Sequence, residues 1–187
     1  MDKFAEKFKI NSARLTNWDY STPGNYFLTV CTCNHNKFFG KIDNKQMVLS
    51  KMGIIANQFL SEISKHFANV CLTTSIVMPN HMHLLVHVET PYMASLQDNR
   101  KITLINYSHK NHPNYFPRLS EKSKQLIPKI IQQYKSAVTR QINPKIIFFG
   151  WQSGYHCIIV KNEIELLKIK NYIVNNPKNW QKDKFYN

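Results

Sequence analysis

Val70-Cys71-Leu72-Thr73-Thr74-Ser75-Ile76-Val77-Met78 runs into Pro79-Asn80 and returns as His81-Met82-His83-Leu84-Leu85-Val86-His87-Val88. Two stretches rich in β-branched and aliphatic residues flank a Pro-Asn turn signal. The pattern predicts an antiparallel hairpin with strands over Val70–Met78 and His81–Val88. Successive side chains on a strand point to opposite faces, so residues i and i+2 look the same way. His81 and His83 therefore present their imidazoles to one point at the beginning of a strand, while Met82 faces the other side, toward a core.

Working outward, Tyr26 to Cys33 reads as a further strand, broken by Asn34-His35-Asn36-Lys37. Ser50 is a fitting N-cap for a helix reaching about Phe67, with Met52, Ile55, Ala56, Phe59, Leu60 and Ile63 recurring as one apolar face. A second helix is expected to start near Pro128, a residue suited to the first helical position, with Ile130, Ile131, Tyr134, Ala137 and Val138 as its buried stripe. A strand falls between about Ile146 and Val160, with a break at Gly150. The last helix follows Asn162, which has capping-box spacing to Glu165. The order β-α-β-β-(loop)-α-β-α closes most simply as an α+β fold of the RRM-like or ferredoxin-like kind. An antiparallel sheet has helices packed on one face, and the C-terminal helix is additional to that core. The expectation is one domain over residues 1–187, with a polar N-terminal arm at 1–24 and a long insertion loop at 89–124 that carries no clear period.

Composition bounds the partners. Of 187 residues, 43% are hydrophobic and 12% aromatic, enough for a packed core. Twenty-five Lys and Arg against eleven Asp and Glu leave a net charge of +14. Such a surplus on a small domain points to a polyanion, nucleic acid before an anionic membrane surface. No apolar run approaches the ~18 residues of a membrane span, and Met1–Lys9 has no apolar signal-peptide core. The expected location is therefore cytoplasmic, with the four cysteines as reduced thiols.

Two convergent imidazoles suit a divalent cation, although a chance pair on a strand is the bland alternative. The usual zinc-hydrolase partners are missing. There is no His-Glu-x-x-His helix, no Asp-His after the pair and no Cys-x-x-Cys. Cys31, Cys33 and His35 form another possible soft-ligand group, with Cys31 and Cys33 read first as small residues sharing one face of a strand. Trp151 reads as a core anchor.

On the last helix, Tyr172 and Asn176 stand four residues apart and share a face with Lys168, while Ile169 and Ile173 border it as anchors to the sheet. A phenol, a carboxamide and an ammonium in one stripe allow a nucleophile, a metal ligand and a phosphate contact. The plain alternative is a half-buried tyrosine with its hydroxyl in water. An unperturbed tyrosine titrates near ~10, so attack by Tyr172 needs a metal or a base.

Taken together, these segments resemble the REP-associated tyrosine transposases, within the single-tyrosine (Y1) HUH insertion-sequence transposases. Leu15 to Gly24 and Tyr26 to Thr32 resemble their opening arm and strand. Met78-Pro79-Asn80-His81-Met82-His83 looks like their HUH motif, Phe149 to Tyr155 like the strand before their catalytic helix, and Asn171 to Pro177 like the segment with the catalytic tyrosine. The resemblance runs in order from about residue 13 to 180. It implies a metal-dependent single-stranded DNA endonuclease and strand transferase acting beside hairpins, in DNA transposition or the processing of REP-type palindromes, through a 5′-phosphotyrosine intermediate. It assigns the nucleophile to Tyr172 and a Mg²⁺ or Mn²⁺ site to His81 and His83, with Asn176 as the third ligand. It also implies a prokaryotic, nucleoid-associated protein with no small-molecule substrate, and favours a monomer over a homodimer. DNA contacts are expected from Lys168, from Arg14 and Trp18 in the arm, and from Tyr107, Lys110 and Arg118 in the loop, where His109, His112, Tyr115 and Phe116 also cluster. One departure is Cys157-Ile158, where many relatives carry an acid and a histidine. The rival reading is a non-catalytic RRM-like nucleic-acid-binding module.

Overall fold

A computed structural model of the chain describes residues 18–90, 125–143 and 148–186. Strands β1 (Gly24–Cys31), β2 (Gly40–Asp43) and β3 (Gln46–Leu49) precede helix α1 (Lys51–His66). Then come β4 (Val70–Val77), β5 (His81–Val88), α2 (Leu126–Ile142), β6 (His156–Val160) and α3 (Glu163–Asn175), followed by a short 3-10 helix, Pro177–Lys182. Four strands form one antiparallel sheet in the order β4-β5-β1-β6, and β2 and β3 form a separate hairpin. This is the ferredoxin-like α+β arrangement that the element order predicts. The β2–β3 hairpin was not foreseen. Its strands have four residues each and no buried side chain, so they carry little hydrophobic signal.

Register decides which side chain goes where. Cys31 pairs with His81, Thr29 with His83 and Phe27 with Leu85, while Val30, Leu28 and Tyr26 pair with Met82, Leu84 and Val86. The second set is fully buried against α1 and α2 in the main core. The first set lies on the opposite face, where Phe27 and Leu85 pack with Leu166 and Ile173 of α3. The sheet thus separates a conventional core from a second layer that holds the histidines, and α3 covers the latter.

Local chemistry fixes the helices. Ser50 caps α1 by accepting from the Gly53 N–H at 3.1 Å. Tyr134 of α2 donates its hydroxyl to the Ala56 carbonyl at 2.8 Å, pinning the two helices together. Asn162 caps α3 by accepting from Glu165 N–H at 2.9 Å, and the Glu165 carboxylate accepts from Lys161 N–H. Helix α2 begins at Leu126, two residues before Pro128; the proline still sits among the first-turn donors that lack partners anyway.

Two expectations need correction. β1 ends at Cys31, and Cys33 opens a 3-10 turn, so the two cysteines do not share a strand face. β6 is also shorter than expected, with Trp151 joined to Thr32 only by an isolated bridge. The Trp151 indole packs on the core and donates to Thr139 Oγ1 at 3.0 Å. No helix among the described residues is long and apolar enough to cross a membrane.

The hairpin reaches the site through Phe39, which is fully buried, donates its N–H to the Pro79 carbonyl and accepts from Ser50 N–H. At Gly53 a β-carbon would run into that same Phe39 carbonyl oxygen. Alanine ordinarily stabilises a helix interior by ~1 kcal/mol over glycine. Here the backbone clash reverses the sign, so Gly53→Ala should lower the urea midpoint of unfolding. A raised midpoint would show that the β2–β3 connection yields without cost.

Candidate functional site

Thr29 and His83 are cross-strand partners, and Thr29 Oγ1 lies 2.9 Å from His83 Nδ1. His83 Nε2 faces His81 Nε2 at 3.0 Å. His81 Nδ1 in turn lies 2.9 Å from Asn80 Oδ1, while Asn80 Nδ2 donates to the Phe185 carbonyl at 2.8 Å. With its amide donor committed there, Asn80 offers an acceptor, so His81 carries its proton on Nδ1 and points a lone pair from Nε2. Thr29 has a rotating hydroxyl and can either accept from or donate to His83. His83 can therefore expose a second lone pair beside the first, or hand a proton to His81. Both imidazoles are buried, at 0% and 1% exposure.

α3 brings the phenol. Leu166 and Ile173 anchor the helix on Phe27 and Leu85, which sets Tyr172 edge-on to Phe27 with ring centroids 6.0 Å apart. The Tyr172 hydroxyl lies 3.3 Å from His83 Nε2 and donates to Asp183 Oδ2 at 2.8 Å. Tyr172 remains 41% exposed. Asn176, at the helix C-cap, donates from Nδ2 to the same carboxylate oxygen at 2.8 Å; its Oδ1 is buried without a hydrogen-bond partner. Asp183 Oδ1 accepts from the Phe185 N–H at 2.7 Å, a local turn that aims the carboxylate inward. His81, His83 and Asp183 offer one ligand atom each, all within 4.8 Å of one another. Phe185 closes the wall, its ring 4.6 Å from that of His81 and stacked on His35 at 5.8 Å.

Electrostatics follow from burial. Desolvation lowers His81 from 6.5 to about 4, with the Asp183 charge opposing it and His35 and Lys184 adding to it. His83 is pushed well below the ordinary value by burial and then by His81. Both rings are neutral near pH 7, the form that binds metals. Burial raises the Tyr172 phenol, and its hydrogen bond to Asp183 and the charge of Asp183 raise it further. For Asp183, burial pushes the carboxyl up, but hydrogen bonds from Phe185 N–H, Asn176 and Tyr172 outweigh it and leave the carboxyl lowered.

The structure brings His81, His83, Tyr172 and Asn176 into one place. Lys168 is exposed on α3, one turn before Tyr172. Trp18 packs against the main core and donates to Tyr26 Oη at 3.2 Å, on the sheet face away from Tyr172. Arg14, Tyr107, Lys110 and Arg118 lie outside the described residues. Sequence reasoning missed Asp183, which sits past Pro177, where no helical period reaches, between lysines that read as a solvated tail. It also took Asn80 for a turn residue only.

No protein-family model matches the chain. It is 29% identical over 176 residues to an uncharacterized protein of Haemophilus influenzae, covering 94% of this chain and 92% of that one. Among solved structures it is similar to a REP-associated tyrosine transposase bound to a REP hairpin, with a TM-score of 0.53 and 12% identity over 91% of this chain and 74% of the other. The chain has that fold: a four-stranded antiparallel sheet with helices packed on it.

Acid should weaken the fold. Unfolded histidine takes up a proton near 6.5, but native His81 resists until about 4. Between these values the unfolded chain binds more protons, so stability falls as pH drops through the window. Urea midpoints at pH 7, 5.5 and 4.5 should decline steeply, and less so in His81→Asn. An equal decline in that variant would place the acid sensitivity elsewhere.

Proposed function

We propose that this chain is a metal-dependent single-stranded DNA endonuclease and strand transferase, with Tyr172 as its nucleophile. One observation carries the reading: the Tyr172 hydroxyl is within hydrogen-bond reach of both a metal-competent histidine and a carboxylate, on a partly exposed helix face. The fold shared with a transposase bound to a REP hairpin supports it, as does the net charge of +14. The substrate is single-stranded DNA flanking a hairpin, in transposition or in palindrome processing, and the protein acts in the cytoplasm on nucleoid DNA as a monomer.

The donor set fits a divalent cation. Two buried imidazoles bring their Nε2 atoms within 3.0 Å of each other, a carboxylate stands beside them, and the buried Asn176 oxygen lacks a partner. His81, His83 and Asp183 would hold the ion, with Asn176 Oδ1 as a further oxygen donor. Mixed nitrogen and oxygen ligands suit Mn²⁺, and Mg²⁺ less closely. When bound, such an ion supplies positive charge against the scissile phosphate and the departing oxygen.

The chain's own groups do the rest. Asn80 fixes the His81 tautomer. Asp183 accepts the phenolic hydrogen bond, aims the oxygen and receives the proton as Tyr172 Oη bonds to phosphorus. The bond from phosphorus to the 3′ oxygen breaks, and that oxygen takes up a proton as a free 3′-hydroxyl. The new 5′-phosphotyrosine keeps the phosphodiester energy, so rejoining to another 3′-hydroxyl needs no nucleotide cofactor. Lys168 lies one turn along the same exposed face, where it can meet a neighbouring phosphate. In this proposal Arg14, Trp18, Tyr107, Lys110 and Arg118 contact the DNA around the hairpin.

Purified protein with labelled hairpin DNA and Mn²⁺ should give a denaturation-resistant adduct. EDTA or Tyr172→Phe should abolish it. No adduct across a varied hairpin library, with salt-sensitive binding retained, would leave a binding module instead. Asp183→Asn keeps the shape but loses the charge and the proton acceptor, and should slow adduct formation by about 10²–10⁴. It should also weaken Mn²⁺ binding seen by calorimetry. Asn80→Ala should weaken the ion about 10- to 100-fold, as loss of a group that orients a ligating histidine does. Unchanged Mn²⁺ affinity in both variants would remove Asp183 and Asn80 from the site.

A further inference from the structure

The 3-10 helix that follows α3 packs against the β2–β3 hairpin, and a cleft of about 410 Å³ lies between them. Lys41 and Lys45 line it from the hairpin, Lys37 from the preceding turn, and Lys178, Trp180 and Tyr186 from the C-terminal segment. Among the described residues no acidic side chain lines it. Asp43 approaches Lys41 only to 4.0 Å, with both side chains more than half exposed.

The cleft adjoins the histidines through a run of rings. The Trp180 ring centroid lies 5.9 Å from that of His81, and Tyr186 stands edge-on to Trp180 at 5.4 Å. The Lys37 ammonium sits 5.7 Å from the Tyr186 ring centre, and that ring is 49% exposed. An exposed aromatic face beside several ammonium groups is the arrangement that grips a nucleic-acid backbone and stacks an unpaired base.

The hairpin tip adds an independent observation. Asn44 and Lys45 both have positive φ, 48° and 62°, the two-residue turn that suits a right-twisted hairpin. The second of these positions strongly favours glycine. A lysine is held there in a left-handed conformation that a long side chain enters at a cost, and it lines the cleft.

We propose that this cleft binds a single-stranded segment of the DNA next to the cleavage site, with Lys37, Lys41, Lys45 and Lys178 on its phosphates and Tyr186 stacked on a base. The proposal rests on the nuclease reading for its substrate. A base can stack on the half-exposed Tyr186 ring only when it is unpaired, which favours a single strand over a duplex.

The test is the salt dependence of binding of a fluorescent hairpin oligonucleotide with single-stranded tails, beside a blunt duplex of the same stem. Each phosphate contact on a single strand contributes about 0.7 to the slope of log affinity against log salt. The full chain carrying Lys41→Ala, Lys45→Gly and Lys178→Ala should flatten that slope by about 2 on the tailed hairpin and leave the blunt duplex unchanged. Tyr186→Ala should cost roughly 5- to 150-fold in affinity at every salt concentration, as lost stacking does. Lys45→Gly alone should weaken binding while holding or raising the melting temperature, because glycine relieves the turn. A wild-type slope in the triple variant overturns the cleft, as does an equal loss on the duplex. The adduct assay on the wild-type chain separates the two ideas. Adducts with a wild-type slope in the triple variant sink the cleft alone; flattened slopes without adducts sink the nuclease alone.

Discussion

Everything at this site depends on the register between β1 and β5. Because side chains alternate strictly along a strand, pairing Thr29 with His83 also commits Met82, Leu84 and Val86 to the core with Val30, Leu28 and Tyr26. A slip by one residue would bury the histidines under α1 and α2 and expose the core residues to α3. The hydrophobic effect that fixes the register therefore also fixes the position of two imidazoles to within a hydrogen bond. The main core is large and apolar, so the alternative registers are far less stable.

Burying two histidines and a carboxamide is costly unless each polar atom finds a partner. The neighbourhood provides most of them from backbone and short side chains: Thr29 for His83, Asn80 for His81, and Phe185 N–H for Asp183. Asn80 joins two separate pieces, since it reads His81 on one side and the Phe185 carbonyl on the other. The C-terminal segment and the histidine strand are thereby one unit. Asn176 holds Asp183 through its Nδ2, while its buried Oδ1 has no hydrogen-bond partner, an unsatisfied acceptor beside the proposed metal ligands.

The sequence makes the sheet, the histidine pair and the tyrosine helix legible because each has a short-range signature: alternation in β5, a turn at Pro79-Asn80, a capped helix after Asn162. Placing Tyr172 over His83 needed one further inference, that Ile169 and Ile173 face the sheet, and the helical period supplies it. Asp183 was not legible. It reaches the site through a break in periodicity at Pro177 and a turn closed by its own side chain, and neither leaves a pattern in the chain. The β2–β3 hairpin escaped for a different reason: its strands are short, their inward residues are only partly buried, and the exposed Val48 between Met47 and Leu49 blurs the alternation.

The charge distribution resolves an apparent conflict. For the proposed function, a strongly cationic chain has to accept a polyanion and yet leave room for a cation at its centre. Burial keeps His81 and His83 unprotonated, and the nearby Lys184 adds to that effect instead of pairing with them. The positive charge consequently stays on long exposed side chains such as Lys168 and Lys178, while the centre holds neutral nitrogens and one carboxylate. Phosphates are attracted to the periphery, where water screens the lysines from one another. The interior remains electrically open to a divalent ion, which would also offset the Asp183 charge that adds to burial in raising the Tyr172 phenol. In the proposed function, segregating the two kinds of charge by depth would let one small sheet attract DNA and still prepare a phenol to attack it.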